Sequence, residues 1–176
     1  RDLHNPAHSF PTRRSSDLSP AHRLDRLTSG VLMFTLRPDV RGRYQRLFAD
    51  GLVAKTYLAW SSTQPGLSEP QRVTNRIVKH RGVLQATVEP GEANAETLVE
   101  PLGEGRYRLT PRTGRTHQLR VHMAGLEVPI DNDPLYPRIL GVDPTDFTRP
   151  LRLVAHRLEF DDPLTGERHC FVSSRA

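Results

Sequence analysis

One short string concentrates the groups that could do chemistry. His22-Arg23-Leu24-Asp25-Arg26-Leu27-Thr28-Ser29-Gly30 sets a single carboxylate among two arginines and a histidine. Nearby cations hold a carboxylate ionised, and an ionised carboxylate is what nucleophilic or general-base work requires. A structural ion pair in a turn would give the same Asp-Arg pattern, so the string alone permits catalysis without requiring it. A second string, Thr113-Gly114-Arg115-Thr116-His117-Gln118-Leu119-Arg120-Val121-His122, gathers further arginines and histidines. A third, Lys55-Thr56-Tyr57-Leu58-Ala59, offers a tyrosine that could carry a flat ligand or simply fill a core.

Other chemistries lack their parts. His117 and His122 stand five apart with no H-E-x-x-H, so a zinc-protease helix is unsupported. Asp131-Asn132-Asp133 begins like a calcium loop, but Pro134 and the missing distal glutamate argue against one. His22-Arg23-Leu24-Asp25 is similar in outline to a kinase catalytic loop, yet no glycine-rich loop or D-F-G accompanies it. Ser29 sits in T-S-G without the G-x-S-x-G elbow. The single cysteine, Cys170, excludes an internal disulfide and a multi-cysteine zinc site.

The elements that must position these strings can be sketched from periodicity. Val31 to Leu36 is a short apolar run, best read as a buried strand. Arg37-Pro38-Asp39 gives a helix start with Asp39 as N-cap, and Val40, Tyr44, Leu47 and Phe48 mark one helical face that Gly51 closes. Val53 to Trp60 is rich in strand formers, and Ser61 to Gln71 reads as a loop. Val83 to Val88, Glu96 to Glu100 and Arg106 to Thr110 are further strand candidates, the last two joined around Gly103-Glu104-Gly105. A helix is expected from about Thr116 to Ala124, and an irregular surface segment from Asp131 to Pro150. Leu151 to Phe160 and Arg168 to Val172 suggest a closing hairpin. Many strands, two helices and no βαβ rhythm predict an α+β fold with a largely antiparallel, mixed sheet.

Taken together, the strings change what each is worth. HRLDRLTSG closely resembles the catalytic motif of the RluA-type RNA pseudouridine synthases. In the same order, Lys55 to Ala59 resembles the family's K-x-Y-x-A strand and Gly114 to Arg120 its G-R-x-H-Q-L-R motif. Asp133-Pro134-Leu135-Tyr136 resembles its G-D-P-L-Y loop, and Leu158 to Glu167 its closing L-x-F-x-x-P-x-T-G-E hairpin. The resemblance implies that Asp25 is the essential nucleophile and that Arg23 helps flip the target base out of the RNA. It implies that Tyr57 lies against the uracil and that Arg115 pairs with Asp25 and orients it. His117, Gln118 and Arg120 would bind phosphate or brace the helix end. The implied reaction breaks the bond from ribose to uracil N1, rotates the base and rejoins it through C5, with no metal or other cofactor. Two positions depart from the family pattern. Asn132 stands where a glycine is usual, and Val154 where histidine is often found.

Composition fits such a partner. The formal net charge is +5, and only Lys55 and Lys79 among the 25 basic residues are lysines. Arginine grips phosphate bidentately and stacks on bases, which suits RNA, although an arginine-rich genome would give the same bias. No apolar run approaches the roughly 20 residues of a membrane span. A cytoplasmic setting is the default, a monomer the expectation, and ribosomal or transfer RNA the substrate class the family implies. A non-catalytic RNA-binding module is the competing reading. Residues 1 to 18 stand apart from the rest. His8 to Leu18, HSFPTRRSSDL, looks like the translation of a sequencing adapter, with a natural disordered arm as the alternative. The catalytic domain is therefore expected over residues 19 to 176, without the family's upstream D-K-P-x-G segment and first strands.

Overall fold

The computed structural model describes residues 18–141 and 146–175, so the expectation about the opening segment lies, except for Leu18, outside the described residues. The elements run β1 (Ser19–Pro20), β2 (Ser29–Gly30), β3 (Phe34–Thr35), α1 (Arg41–Ala49), β4 (Ala54–Trp60), β5 (Gln71–Asn75) and β6 (Ile77–Val78). They continue through β7 (Thr87–Val88), β8 (Ala95–Gly103), β9 (Arg106–Pro111), α2 (Gln118–Gly125), β10 (Leu153–Asp161) and β11 (Arg168–Val172). The main sheet is ordered β11-β10-β4-β9-β8-β5, every pair antiparallel, with β2 added to β10 in parallel. The fold is α+β, as the pattern anticipates.

Period-two alternation explains which face is buried. In β8, Ala95, Thr97 and Val99 are buried while Glu96, Leu98 and Glu100 are partly exposed. In β9, Tyr107, Leu109 and Pro111 point inward and Arg106 and Arg108 outward. The inner face meets Leu119 and Met123 of α2, together with Val128, Ile130, Leu151 and Leu153, in the principal core. Each such large apolar side chain contributes about 1.5–3 kcal/mol on burial. A second cluster of Ile77, Ala86, Ala95, Val121 and Tyr136 ties the β6–β7 hairpin to α2. A third, Leu47, Val53, Leu158 and Phe160, seats α1 on the end of β10. His122 of α2 is also fully buried, its Nε2 3.1 Å from Asn75 Oδ1, and burial pushes its pKa down to about 4.

Several expectations are corrected. The run from Val31 to Leu36 is not a buried strand. Only Phe34–Thr35 pairs, with β1, and Phe34 and Leu36 face outward while Val31 and Met33 pack toward α1. Asp39 does not cap α1, because Arg37 takes its carboxylate, and Val40 occupies the cap position. Of Val83 to Val88 only the last two residues form a strand, paired with Ile77–Val78. The second helix begins two residues late, at Gln118, because His117 lies in the left-handed region at φ 59°. Asn132 is likewise left-handed, at φ 61°. Its departure from glycine is tolerable because asparagine enters that region more readily than most residues.

Candidate active site

Asp25 stands on the loop between β1 and β2, and neighbouring bonds fix that loop. Thr28 N–H donates to Asp25 O at 2.9 Å, closing a turn, and Leu27 anchors it in the principal core. Downstream, Gly30 runs directly beside β10, with φ +112° and so little room that a Cβ would lie 2.2 Å from Ala155 O. Val31 N–H then donates to the same carbonyl at 2.9 Å. Upstream, the His22 ring stacks on Phe48 of α1 at 4.3 Å, and its Nε2 accepts from Met33 N–H at 3.2 Å. Burial lowers the His22 pKa, so this histidine braces the loop as a neutral ring.

Facing Asp25 is Arg120, which is only 4% exposed, its Nη1 3.7 Å from Asp25 Oδ2. Asp133 grips the same guanidinium from behind, with Nε and Nη2 donating at 2.8 and 2.6 Å. Burial works against the charge on Arg120, but the bonds and charge of Asp133, joined by the charge of Asp25, raise its pKa above the usual value. Asp133 also accepts the backbone N–H groups of Leu135 and Tyr136 at 2.8 and 3.1 Å. The Tyr136 hydroxyl in turn lies 2.9 Å from His117 Nδ1, accepts Ala86 N–H and donates to Ala86 O. A buried carboxylate–guanidinium pair thus carries Asp25, and the β6–β7 hairpin is tied into it.

This arrangement corrects the partner assigned to Asp25. Arg115 is exposed, and its Nε donates to Asn94 O at 3.0 Å. It precedes α2 at the cavity rim, whereas Arg120 lies inside the first turn of α2 on the buried face. Gln118 is corrected as well. It is buried, its Oε1 accepts from Thr113 Oγ1 at 2.7 Å and Arg115 N–H at 3.0 Å, and its Nε2 donates to Glu96 O and Thr97 Oγ1, both at 2.9 Å. An amide has two donors and two acceptor lone pairs, so nothing remains for RNA. Arg120, committed to two carboxylates, is not a phosphate-binding group either. Arg23 is exposed at the rim, and His117 is half-buried with its pKa lowered chiefly by burial.

Asp25, Tyr57, Arg115, His117 and Arg120 share the lining of one cavity of about 310 Å³. Tyr57 enters it from β4, and burial followed by the negative charge of Asp25 pushes its phenol up to about 12. Lys55, two residues earlier and so on the same face of the strand, lines the cavity too, with burial lowering its pKa. Sequence reasoning quoted Lys55 without giving it a role. Its signal was available: one of two lysines in an arginine-rich chain, in step with Tyr57. Asp133 was likewise quoted only as part of a loop. Among the described residues no group of three or more His, Cys, Asp or Glu could hold a metal ion. No described helix is long and apolar enough to cross a membrane.

Comparison with known proteins gives this geometry a context. A family model described as RNA pseudouridylate synthase matches residues 5–125, beginning inside the opening segment. An uncharacterized RNA pseudouridine synthase of Haemophilus influenzae is 34% identical over 143 residues, which are 80% of this chain and 62% of that protein. The dual-specificity RNA pseudouridine synthase RluA of Pasteurella multocida is 33% identical over 162 residues, covering 84% of this chain and 69% of its own. The solved structure of human RNA pseudouridylate synthase domain containing 1 superimposes with a TM-score of 0.72 at 26% identity, over 90% of this chain and 69% of that one. The chain therefore spans less than two thirds of the Haemophilus relative.

Proposed function

The chain belongs to the RNA pseudouridylate synthase family, in its RluA-type branch, and from that premise we propose that it isomerises uridine to pseudouridine in RNA, with Asp25 opening the reaction. The observation that carries this reading is the pairing of Asp25 with a buried, doubly bonded arginine inside a cavity walled by Tyr57. A uridine turned out of its stack enters the cavity and lies against the Tyr57 ring, an interaction worth about 1–3 kcal/mol. Asp25 attacks the ribose or takes a proton from it, and the bond from ribose to N1 breaks. The freed uracil rotates, bonds to the ribose through C5 and releases the C5 proton. At neutral pH Tyr57 remains a protonated phenol, so it can take the C5 proton only by passing on its own. Lys55 is the donor on the same wall suited to a uracil carbonyl. Arg120 keeps Asp25 ionised and aimed.

Arg23, Arg115 and His117 ring the mouth and meet the RNA backbone in this reading, with Arg23 supporting base flipping. Ribosomal and transfer RNA both remain open as substrates, the chain acts as a cytoplasmic monomer, and the chemistry calls for no metal or organic cofactor. Tritium release from RNA labelled at uridine C5 tests the proposal. Release that vanishes in Asp25→Asn supports it. RNA binding without any release would favour a non-catalytic RNA-binding module instead.

A further inference from the structure

A second and larger cleft, of about 1110 Å³, opens on the other side of Arg120 and His117. Those two side chains line both cavities, so they form a partition one side chain thick. The partition is stiff. Arg120 is clamped by Asp133 and lies over the Tyr136 ring at 5.2 Å, and His117 is held by the Tyr136 hydroxyl.

Beyond the partition the walls combine two unlike features. Leu84, Ile139 and Leu140 line the cleft while 61%, 54% and 42% exposed. Arg26, Arg138 and Arg149 line it as well, against the carboxylates of Asp131 and Asp146. Asp131 accepts the N–H and hydroxyl of Ser62, and Asp146 those of Thr148. Both carboxylates are thus turned to their own loops, and the arginines set the sign of the cleft. Clustered apolar side chains on a surface mark a binding site, and a basic rim selects an anionic ligand. A nucleotide has that chemistry, a flat apolar face with a phosphate attached.

We propose that this cleft takes a second, unstacked nucleotide of the same RNA strand, next to the uridine held at Asp25. Its base rests on Leu84, Ile139 and Leu140, and its phosphate is held by the arginines. The inference rests on the uridine reading of the first cavity and adds a flanking subsite to it. Covalently adjacent nucleotides can straddle so thin a partition. Flipping one base also strips its neighbour of a stacking partner, and contacts to flanking nucleotides are how base-flipping enzymes choose sequence context.

The test titrates the full chain with uridine 5′-monophosphate and with single-stranded penta-uridylate. Wild type should bind the pentamer more tightly than the monomer. The double variant Ile139→Ser, Leu140→Ser should lose about tenfold in pentamer affinity while monomer binding holds. Because both side chains are exposed, the fold should survive, and Leu84→Ser gives the same reading should that double variant unfold. Tyr57→Ala should weaken both ligands. Pentamer binding no tighter than monomer binding, or cleft variants that bind both ligands like wild type, overturns the flanking subsite alone. If Tyr57→Ala leaves both affinities unchanged, the uridine cavity itself is wrong and the subsite falls with it.

Discussion

Arg115 and Arg120 belong to one motif, five residues apart, yet they live in different regions with opposite physics. Arg120 is in the floor of the cavity, where Gln118, Asp133 and Tyr136 bond to one another or to the backbone around them and little is left for solvent. Arg115 is on the rim beside Arg23, exposed and bonded to a single carbonyl. A floor charge is costly to bury and strongly held, so disturbing it disturbs the fold. A rim charge costs the fold little and is screened by salt, so it affects encounter with a charged ligand and little else. The same residue type therefore serves preorganisation in one place and attraction in the other.

Mutants can break or sharpen this contrast, and the largest effect should come at the residue the floor supports. Asp25→Asn should cut tritium release by about a thousandfold or more, as loss of a nucleophile does, while RNA affinity stays within a few-fold. A variant that keeps releasing tritium would remove Asp25 from the mechanism. Next comes Arg120→Met. Leaving Asp133 buried and unpaired should cost about 3–5 kcal/mol, and a chain of this length loses roughly 2–4 °C per kcal/mol. Adding Asp133→Leu should return much of the melting temperature but none of the turnover, since Asp25 still lacks its cation. Full stability with Arg120→Met, and loss of turnover with Arg115→Ala instead, would reverse the roles given to the two arginines.

Acid should also attack the floor before the rim. The pKa of His122 is lowered by burial from its ordinary 6.5 to about 4, so the folded state binds its proton less readily than the unfolded chain. Its contribution to stability is whole above pH 6.5 and drains away as pH falls through about 4, a loss of order 3 kcal/mol. Urea titrations at pH 7.5 and pH 4 should show the drop, and His122→Gln should shrink it. The smallest effect is expected on the rim. Arg115→Ala should leave the melting temperature unchanged, weaken RNA binding a few-fold, and reduce the slope of log affinity against log salt by about 0.7.

The same contrast explains what the sequence made legible. The string around Asp25 and the strand carrying Tyr57 could be placed because their chemistry and periodicity are local. The partner of Asp25 could not, because that depends on where α2 begins. A start near Thr116 gives no reason to prefer either arginine, whereas the left-handed turn at His117 moves the first residue of α2 to Gln118 and puts Arg120 on its inner face. Nothing in the residue type at 117 announces that turn. Val31 to Leu36 misled for a related reason. An apolar run states that something is buried but not which alternate residues, and here Val31 and Met33 turn inward while Phe34 and Leu36 do not. Strand β5 escaped notice because, at the edge of the sheet, Val73 is its only large apolar residue.

Gly30 carries a consequence out of proportion to its size. The loop bearing Asp25 is registered against the sheet by a missing methyl group, since the carbonyl of Ala155 occupies the volume any side chain would need. A change to alanine there would pry the two segments apart and swing the carboxylate away from its guanidinium without altering a single polar group. Such a lesion would register in an assay as lost chemistry, although its origin would be steric and several residues distant.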